Sequence, residues 1–253
     1  MNVHSHQQST LFEVSLDPLL SFLDDRKDNV LDPLAFAIAA EEAGADGLSI
    51  YLSEKNANVR QALMQTMSQQ FVGRLKINAA ANARTLAIVS EIRPANVCLV
   101  VPDGMADERF APVDVVADFS LLQSFVSQLH RSGHRSSLFV NPKAEQVQAC
   151  AESGANAIVL SAERYVQADN DATRNQAQGE LEAMAIESIR QGLSVQISGN
   201  LNYQNIAALA SLSDVTQINI GDAIFSRALF VGWNVALKEM KAILVRSGLM
   251  QRA

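Results

Sequence analysis

Short apolar runs recur along this chain at even intervals, and a loose motif introduces several of them. A helical pattern ends in a small residue and a glycine, and a β-branched stretch follows. The motif occurs at Glu42-Ala43-Gly44 before Gly47-Leu48-Ser49-Ile50 and at Arg131-Ser132-Gly133 before Ser137-Leu138-Phe139-Val140. It returns at Glu152-Ser153-Gly154 before Ala157-Ile158-Val159-Leu160, and at Arg190-Gln191-Gly192 before Leu193-Ser194-Val195-Gln196-Ile197. Each glycine suits the left-handed position that closes a helix. Each following run suits a strand covered on both faces.

The pattern predicts strands over 11–16, 47–52, 74–79, 96–101, 136–140, 156–161, 193–198 and 216–220. Between them it predicts helices over 32–43, 56–71, 83–92, 116–132, 143–153, 173–191, 203–211 and 222–247. Such a βα alternation in 253 residues predicts an α/β fold, a single-domain (β/α)8 TIM barrel over 11–253 after a flexible tail, 1–10. A doubly wound open sheet shares the alternation, but the even spacing and the eightfold count favour closure. Three longer insertions, 17–31, 102–115 and 162–172, all follow strands. In a barrel they fall on the C-terminal face, where barrel enzymes keep their sites.

The last strand shows the pattern best. Gln217-Ile218-Asn219-Ile220 stops at Gly221, and a helical run starts at Asp222. Gly221 would let a backbone pass close to a ligand, and the free N–H groups of a helix start could hold a phosphate. Asp222 sits where that anion would go; it suits the helix dipole and repels phosphate.

Composition narrows the partners. The net charge is −7, and no basic stripe is visible, which argues against nucleic acid and anionic membranes. No apolar run approaches the ~20 residues of a membrane span, and the polar N-terminus is no signal peptide. Cys98 falls in a buried strand and Cys150 on a helix, which suits a reducing, cytoplasmic setting.

Candidate chemistry is read from the strand ends. Asp17 could be a general base or an acid satisfied at the start of the loop helix Pro18–Leu23. Tyr51 is a possible donor at a strand mouth; Glu54 and Lys55 are loop charges. Ser198-Gly199-Asn200 has the composition of a phosphate-approaching loop, though a plain turn would look the same. Asp46 suits the tight turn into the second strand. Histidine is the commonest acid/base and metal ligand near neutrality, yet His4 and His6 lie in the tail, and His130 and His134 at the opposite face. A histidine-based metal site or proton relay is therefore not expected.

The order of segments resembles the pyridoxine 5′-phosphate synthase family from about Val14 to Val245. Carrying stretches are Ala39-Ala40-Glu41-Glu42-Ala43-Gly44-Ala45-Asp46-Gly47, Val97-Cys98-Leu99-Val100, Leu201-Asn202-Tyr203-Gln204-Asn205 and Ile218-Asn219-Ile220-Gly221 with Ala223-Ile224 and Arg227-Ala228. The resemblance implies a barrel that joins 1-deoxyxylulose 5-phosphate to 3-amino-2-oxopropyl phosphate without metal or organic cofactor. It implies a small polar or phosphorylated ligand and a homo-octamer.

It also places family catalytic positions on Asp17, Tyr51, Glu54 and Asn78. Ligand or phosphate contacts fall on Arg26, Ser198, Gly199, Asn200, Gly221 and Asp222. Most of these differ from the family pattern. Asp-His becomes Asp17-Pro18, His-Leu-Arg-Glu becomes Tyr51-Leu52-Ser53-Glu54, and the third-strand glutamate becomes Asn78. Glu-Ile-His becomes Val159-Leu160-Ser161, Gly-His-Gly becomes Ser198-Gly199-Asn200, and Gly-His becomes Gly221-Asp222. The leading expectation is a divergent barrel that has lost the ring-closing condensation and serves binding, regulation or assembly. The alternatives are an active synthase and a different small-molecule enzyme on the same barrel, whose acid-rich pocket would suit an amine or a divalent cation.

Overall fold

The apolar runs become a closed barrel of parallel strands. The computed structural model describes residues 10–24, 31–53, 55–103 and 109–250. Its strands are β1 (Leu11–Ser15), β2 (Gly47–Leu52), β3 (Leu75–Ala79), β4 (Asn96–Leu99), the two-residue pair β5 (Val101–Pro102) and β6 (Phe110–Ala111), β7 (Arg135–Val140), β8 (Ala157–Ser161), β9 (Ser194–Ser198) and β10 (Val215–Ile220). The barrel order is β1-β10-β9-β8-β7-β4-β3-β2, closing on β1.

The helices are α1 (Asp17–Asp24), α2 (Pro33–Glu42), α3 (Ala57–Gln70), α4 (Ala83–Ile92), α5 (Phe119–Arg131), α6 (Ala144–Glu152), α7 (Glu163–Val166), α8 (Asp171–Arg190), α9 (Ile206–Ala210), α10 (Asp222–Val231) and α11 (Trp233–Met250). Among the described residues no helix is long and apolar enough to cross a membrane.

Strand alternation sorts the side chains. Phe12, Val14, Leu48, Ile50, Ile77 and Ile218 are buried in the main core between strands and helices. Their neighbours Glu13, Ser49, Lys76, Gln196 and Asn219 point into the barrel and bond one another there. A period of two along parallel strands produces this division.

Local signals account for the helix ends. Asp32, Asn82 and Asn170 cap α2, α4 and α8, accepting from the N–H groups of Leu34, Thr85 and Thr173. Pro33 occupies the first turn of α2, where its missing N–H costs nothing. Gly44, Gly133, Gly154 and Gly192 all adopt positive φ, between 82° and 98°, as their place after helices predicted.

Four expectations change. The long helix over 222–247 is two helices, because Gly232 at φ +81° ends α10 before α11 begins. The insertion 102–115 carries the antiparallel pair β5–β6, with Pro102 opposite Phe110. The insertion 162–172 contains α7, and α8 starts at Asp171. Asp46 does more than shape a turn: its Oδ2 accepts from Phe12 N–H and Lys241 Nζ, each at 2.8 Å, tying β1 to α11. The tail expected over 1–10 lies outside the described residues except for Thr10.

The two cysteines are free and buried. His130 Nε2 lies 3.0 Å from Ser136 Oγ and Asn156 Oδ1, and His134 Nδ1 lies 3.3 Å from Pro94 O. Pro94 precedes β4 and Ser136 is the second residue of β7, so both histidines sit at the N-terminal end of the barrel.

Candidate functional site

A cavity of about 660 Å³ opens at the C-terminal ends of the strands. Ser15, Asp17 and Ser21 line it from β1 and α1, and Asn219, Gly221, Asp222 and Phe225 from β10 and α10. Ser161, Glu163, Ser198, Gly199 and Asn200 contribute from β8, β9 and the turns after them. Phe110 and Phe139 close the other side, with Asp103 and Arg109 at the hairpin.

Asp17 is the most constrained of these groups. It follows β1 directly and forms the first turn of α1. Its Oδ1 accepts from Tyr51 N–H at 2.6 Å and its Oδ2 from Ser15 Oγ at 2.9 Å. Arg60 Nη1 lies 3.9 Å from Oδ1, and the Arg60 side chain is only 2% exposed. Burial raises the Asp17 pKa from 3.8 to about 6. The Tyr51 amide, the Ser15 hydroxyl and the Arg60 charge oppose that rise, and the charge of Asp222 adds to it. A carboxyl poised there is mostly ionised at neutral pH yet can exchange a proton near it.

Arg60 stands in the first turn of α3, and Ser53 and Asn56 just before that helix bond each other. Ser53 N–H donates to Asn56 Oδ1 at 2.9 Å, and Asn56 N–H donates to Ser53 Oγ at 3.2 Å. This reciprocal pair works like a capping box.

Two turns pack closely on their neighbours, Gly199 on backbone and Gly221 on side-chain atoms. Gly199 has φ +117° and Asn200 φ +49°; asparagine is among the few side chains that tolerate this region. A Cβ on Gly199 would lie 3.3 Å from Ala162 N. A Cβ on Gly221 would lie 2.9 Å from Ser15 Cβ. The close approach at Gly221 thus serves the contact between β10 and β1, where the sequence suggested approach to a ligand.

Asn219 and Ser198, which line the cavity, belong to a buried network built around an ion pair. Glu13 on β1 and Lys76 on β3 form a salt bridge, with side chains 3% and 5% exposed. Lys76 Nζ also donates to Gln196 Oε1 at 3.0 Å. Glu13 accepts from Gln217 and from Asn219 Nδ2, the latter at 2.6 Å. Asn219 Nδ2 donates as well to Ser49 Oγ at 2.7 Å, and Ser198 Oγ donates to Asn219 Oδ1 at 3.4 Å. Each charge has its partners, which a buried pair needs to offset desolvation.

Opposite lies an apolar cluster of Tyr51, Cys98, Val100, Phe139 and Val159, with Phe110 packed on it. The Phe110 ring sits 5.1 Å from Tyr51 and 5.8 Å from Phe139, centroid to centroid.

The structure therefore brings Asp17, Ser198, Gly199, Asn200, Gly221 and Asp222 to one cavity. Tyr51 and Asn78 are buried in the barrel, and neither lines that cavity. Tyr51 serves the site through its backbone N–H, with its ring in the apolar cluster. Arg26 and Glu54 lie outside the described residues. Sequence reasoning passed over Arg60, Ser21, Phe110 and the Glu13–Lys76–Asn219 network. A charged residue in the middle of an apolar run, as in Phe12-Glu13-Val14 and Leu75-Lys76-Ile77, was the available signal. Among the described residues no three His, Cys, Asp or Glu side chains are grouped to hold a metal ion.

A closed (β/α)8 barrel with a polar cavity at the C-terminal mouth has the architecture of the barrel enzymes. Solved structures agree on the fold. KGPDC from Streptococcus mutans superposes with a TM-score of 0.64 at 13% identity, covering 95% of this chain and 100% of that one. The BexX/CysO complex from Amycolatopsis orientalis gives 0.61 at 15% identity, covering 100% and 95%. At these identities the likeness concerns the fold alone.

Sequence comparison is more specific. The family described as "Pyridoxal phosphate biosynthesis protein PdxJ" matches residues 13–246. The pyridoxine 5′-phosphate synthase of Magnetococcus marinus is 32% identical over 234 residues, 92% of this chain and 96% of that protein. The chain belongs to the PdxJ family.

Proposed function

We propose that this chain is a ligand-binding member of the family that does not carry out the ring-closing condensation. One observation carries the reading: no histidine lines the cavity among the described residues. The resemblance puts family acids and bases on Pro18, Tyr51, Asn78, Ser161, Gly199 and Asp222. Proline and glycine have no proton to exchange, and asparagine, serine and tyrosine do not titrate near pH 7. Each missing acid or base typically forfeits ~10²–10⁴-fold in rate. Of these positions only Asp222 carries an acid, beside the retained Asp17, whereas the condensation that the resemblance implies draws on several histidines and a glutamate. Phosphates are also poorly served, since Asp17, Asp103, Glu163 and Asp222 line the cavity with Arg109 as the basic residue among those described.

The same reading includes assembly and location. Leu229 and Phe230, 70% and 85% exposed on α10, suit a contact between copies, in keeping with the octamer the resemblance implies. Two buried free thiols suit a reducing cytoplasm.

A second reading, an active synthase, has one observation in its favour. Asp17 titrates at about 6, close to the working range of a general base. Incubating the folded protein with 1-deoxyxylulose 5-phosphate and 3-amino-2-oxopropyl phosphate separates the two. The expected result, by mass spectrometry, is no pyridoxine 5′-phosphate above the blank. Product that disappears on Asp17→Asn would establish the second reading.

A further inference from the structure

We infer that the cavity takes a small organic cation, a protonated amine attached to an apolar or aromatic group, in preference to a phosphorylated sugar. This rests on the reading that the mouth is still a ligand site, and it names the chemistry of that ligand.

Asn219 presents a fixed acceptor to the cavity. A side-chain amide has two N–H donors and one carbonyl acceptor. Both donors are committed, one to Glu13 Oε1 at 2.6 Å and one to Ser49 Oγ at 2.7 Å. Glu13, ion-paired with Lys76, can only accept. Turning the amide over would aim its carbonyl at a carboxylate, so the orientation is fixed. Oδ1 then faces Ser198 and the cavity, with one lone pair taken by the Ser198 hydroxyl at 3.4 Å. The second lone pair is left for a donor from a ligand.

The surrounding polar groups point the same way. Asp17 lines the cavity, accepts two hydrogen bonds and lies 3.9 Å from Arg60 Nη1, and a carboxylate has acceptor capacity beyond these. Glu163 and Asp222 add carboxylates to the rim. Asp222 stands in the first turn of α10, the place a phosphate would need, and it already meets the positive end of the helix. An ammonium group supplies three donors and a positive charge to these acceptors. A phosphate brings acceptors and negative charge, and meets acceptors and carboxylates.

The opposite wall specifies the other end of the ligand. Phe110 and Phe139 line the cavity, backed by Tyr51, Val100 and Val159. They offer aromatic surface to a ring and a face to a cation.

Isothermal titration of the folded full-length protein at neutral pH, with four probes, tests this. Benzylamine carries the ammonium and the ring, benzyl alcohol the ring without charge, benzoate the ring with the opposite charge, and inorganic phosphate the anion alone. Saturable binding of benzylamine is expected, with benzyl alcohol weaker by about tenfold or more, and no heat from benzoate or phosphate. Asn219→Ala is expected to weaken benzylamine by about tenfold.

Asn219 is part of the barrel floor, so Asp222→Asn, on the exposed start of α10, serves as a second variant. It should weaken benzylamine about threefold while leaving the circular dichroism spectrum unchanged. Tighter binding of benzoate or phosphate than of benzylamine would overturn the ligand class while leaving the mouth a ligand site. Equal benzylamine affinity in wild type and both variants, or no saturation at millimolar concentration, would also overturn it. The condensation assay is independent of these outcomes: product formation would sink the non-catalytic reading whichever probe binds.

Discussion

The two sides of the barrel interior are built on opposite principles. On one side β1, β3, β9 and β10 contribute Glu13, Lys76, Gln196, Gln217 and Asn219, joined with Ser49 of β2 by hydrogen bonds and an ion pair. On the other, β2, β4, β7 and β8 contribute Tyr51, Cys98, Phe139 and Val159, which pack as an apolar cluster. The difference teaches where specificity resides. Apolar packing is tolerant of shape and direction. A buried polar network allows one arrangement, because any rearrangement strands a donor or a charge. The polar side therefore fixes which atom of Asn219 faces the cavity, and the apolar side supplies area.

The sharpest way to break this contrast is to remove one charge. Lys76→Met leaves Glu13 buried without its partner and should cost about 3–5 kcal/mol of stability, read from urea unfolding. Adding Glu13→Gln should restore much of that loss. If the single and double variants unfold at the same urea concentration, the pair is not what organises the polar side.

A cut on the apolar side should be comparable or slightly smaller. Phe139→Ala removes a ring that contacts Phe110 and should cost about 3 kcal/mol. It should leave the pH dependence of stability between pH 4 and pH 7 unaltered, because the ring packs in a cluster that holds no carboxylate or histidine.

The pH dependence belongs to Asp17. Its carboxyl titrates at 3.8 ordinarily and at about 6 in the fold. Between these values the folded protein holds a proton that the unfolded chain has released. The contribution to stability is thus fully present below 3.8 and lost as pH rises through 6. The shift corresponds to on the order of 3 kcal/mol. The stability of the wild type relative to Asp17→Asn should accordingly fall by about that amount between pH 4 and pH 7. Arg60 opposes the shift and Asp222 enlarges it, so Asp222→Asn should move the transition to lower pH. A pH-independent difference would mean that Asp17 titrates at its ordinary value.

The smallest expected effect is that of Ser49→Ala. It takes one acceptor from Asn219 Nδ2 and should cost about 1 kcal/mol, while Glu13 still holds the amide. A loss as large as that of Lys76→Met would show that Ser49, and not the ion pair, positions Asn219.

Much of this architecture was legible in the chain. Gly44, Gly133, Gly154 and Gly192 mark helix ends because few other residues accept positive φ. Asp32, Asn82 and Asn170 mark helix starts because their side chains satisfy N–H groups a few residues on. Both signals are local, so the eight βα units could be read in order. The break at Gly232 is masked in the sequence because apolar helical spacing continues on both sides of it.

At the site, Asp17, Ser198, Gly199, Asn200, Gly221 and Asp222 were legible because barrels place the ends of their strands at one mouth. The order of the elements, the strand ends and the residues that stand there are written in the local pattern of the chain. Only the tertiary structure decided that Glu13 meets Lys76 and Asn219, that Arg60 approaches Asp17, and that Tyr51 turns its ring inward and lends the site its amide. These are contacts between residues as many as 206 positions apart. Barrel closure creates them, and the period of two along each strand says only that a side chain points inward, not what it will meet.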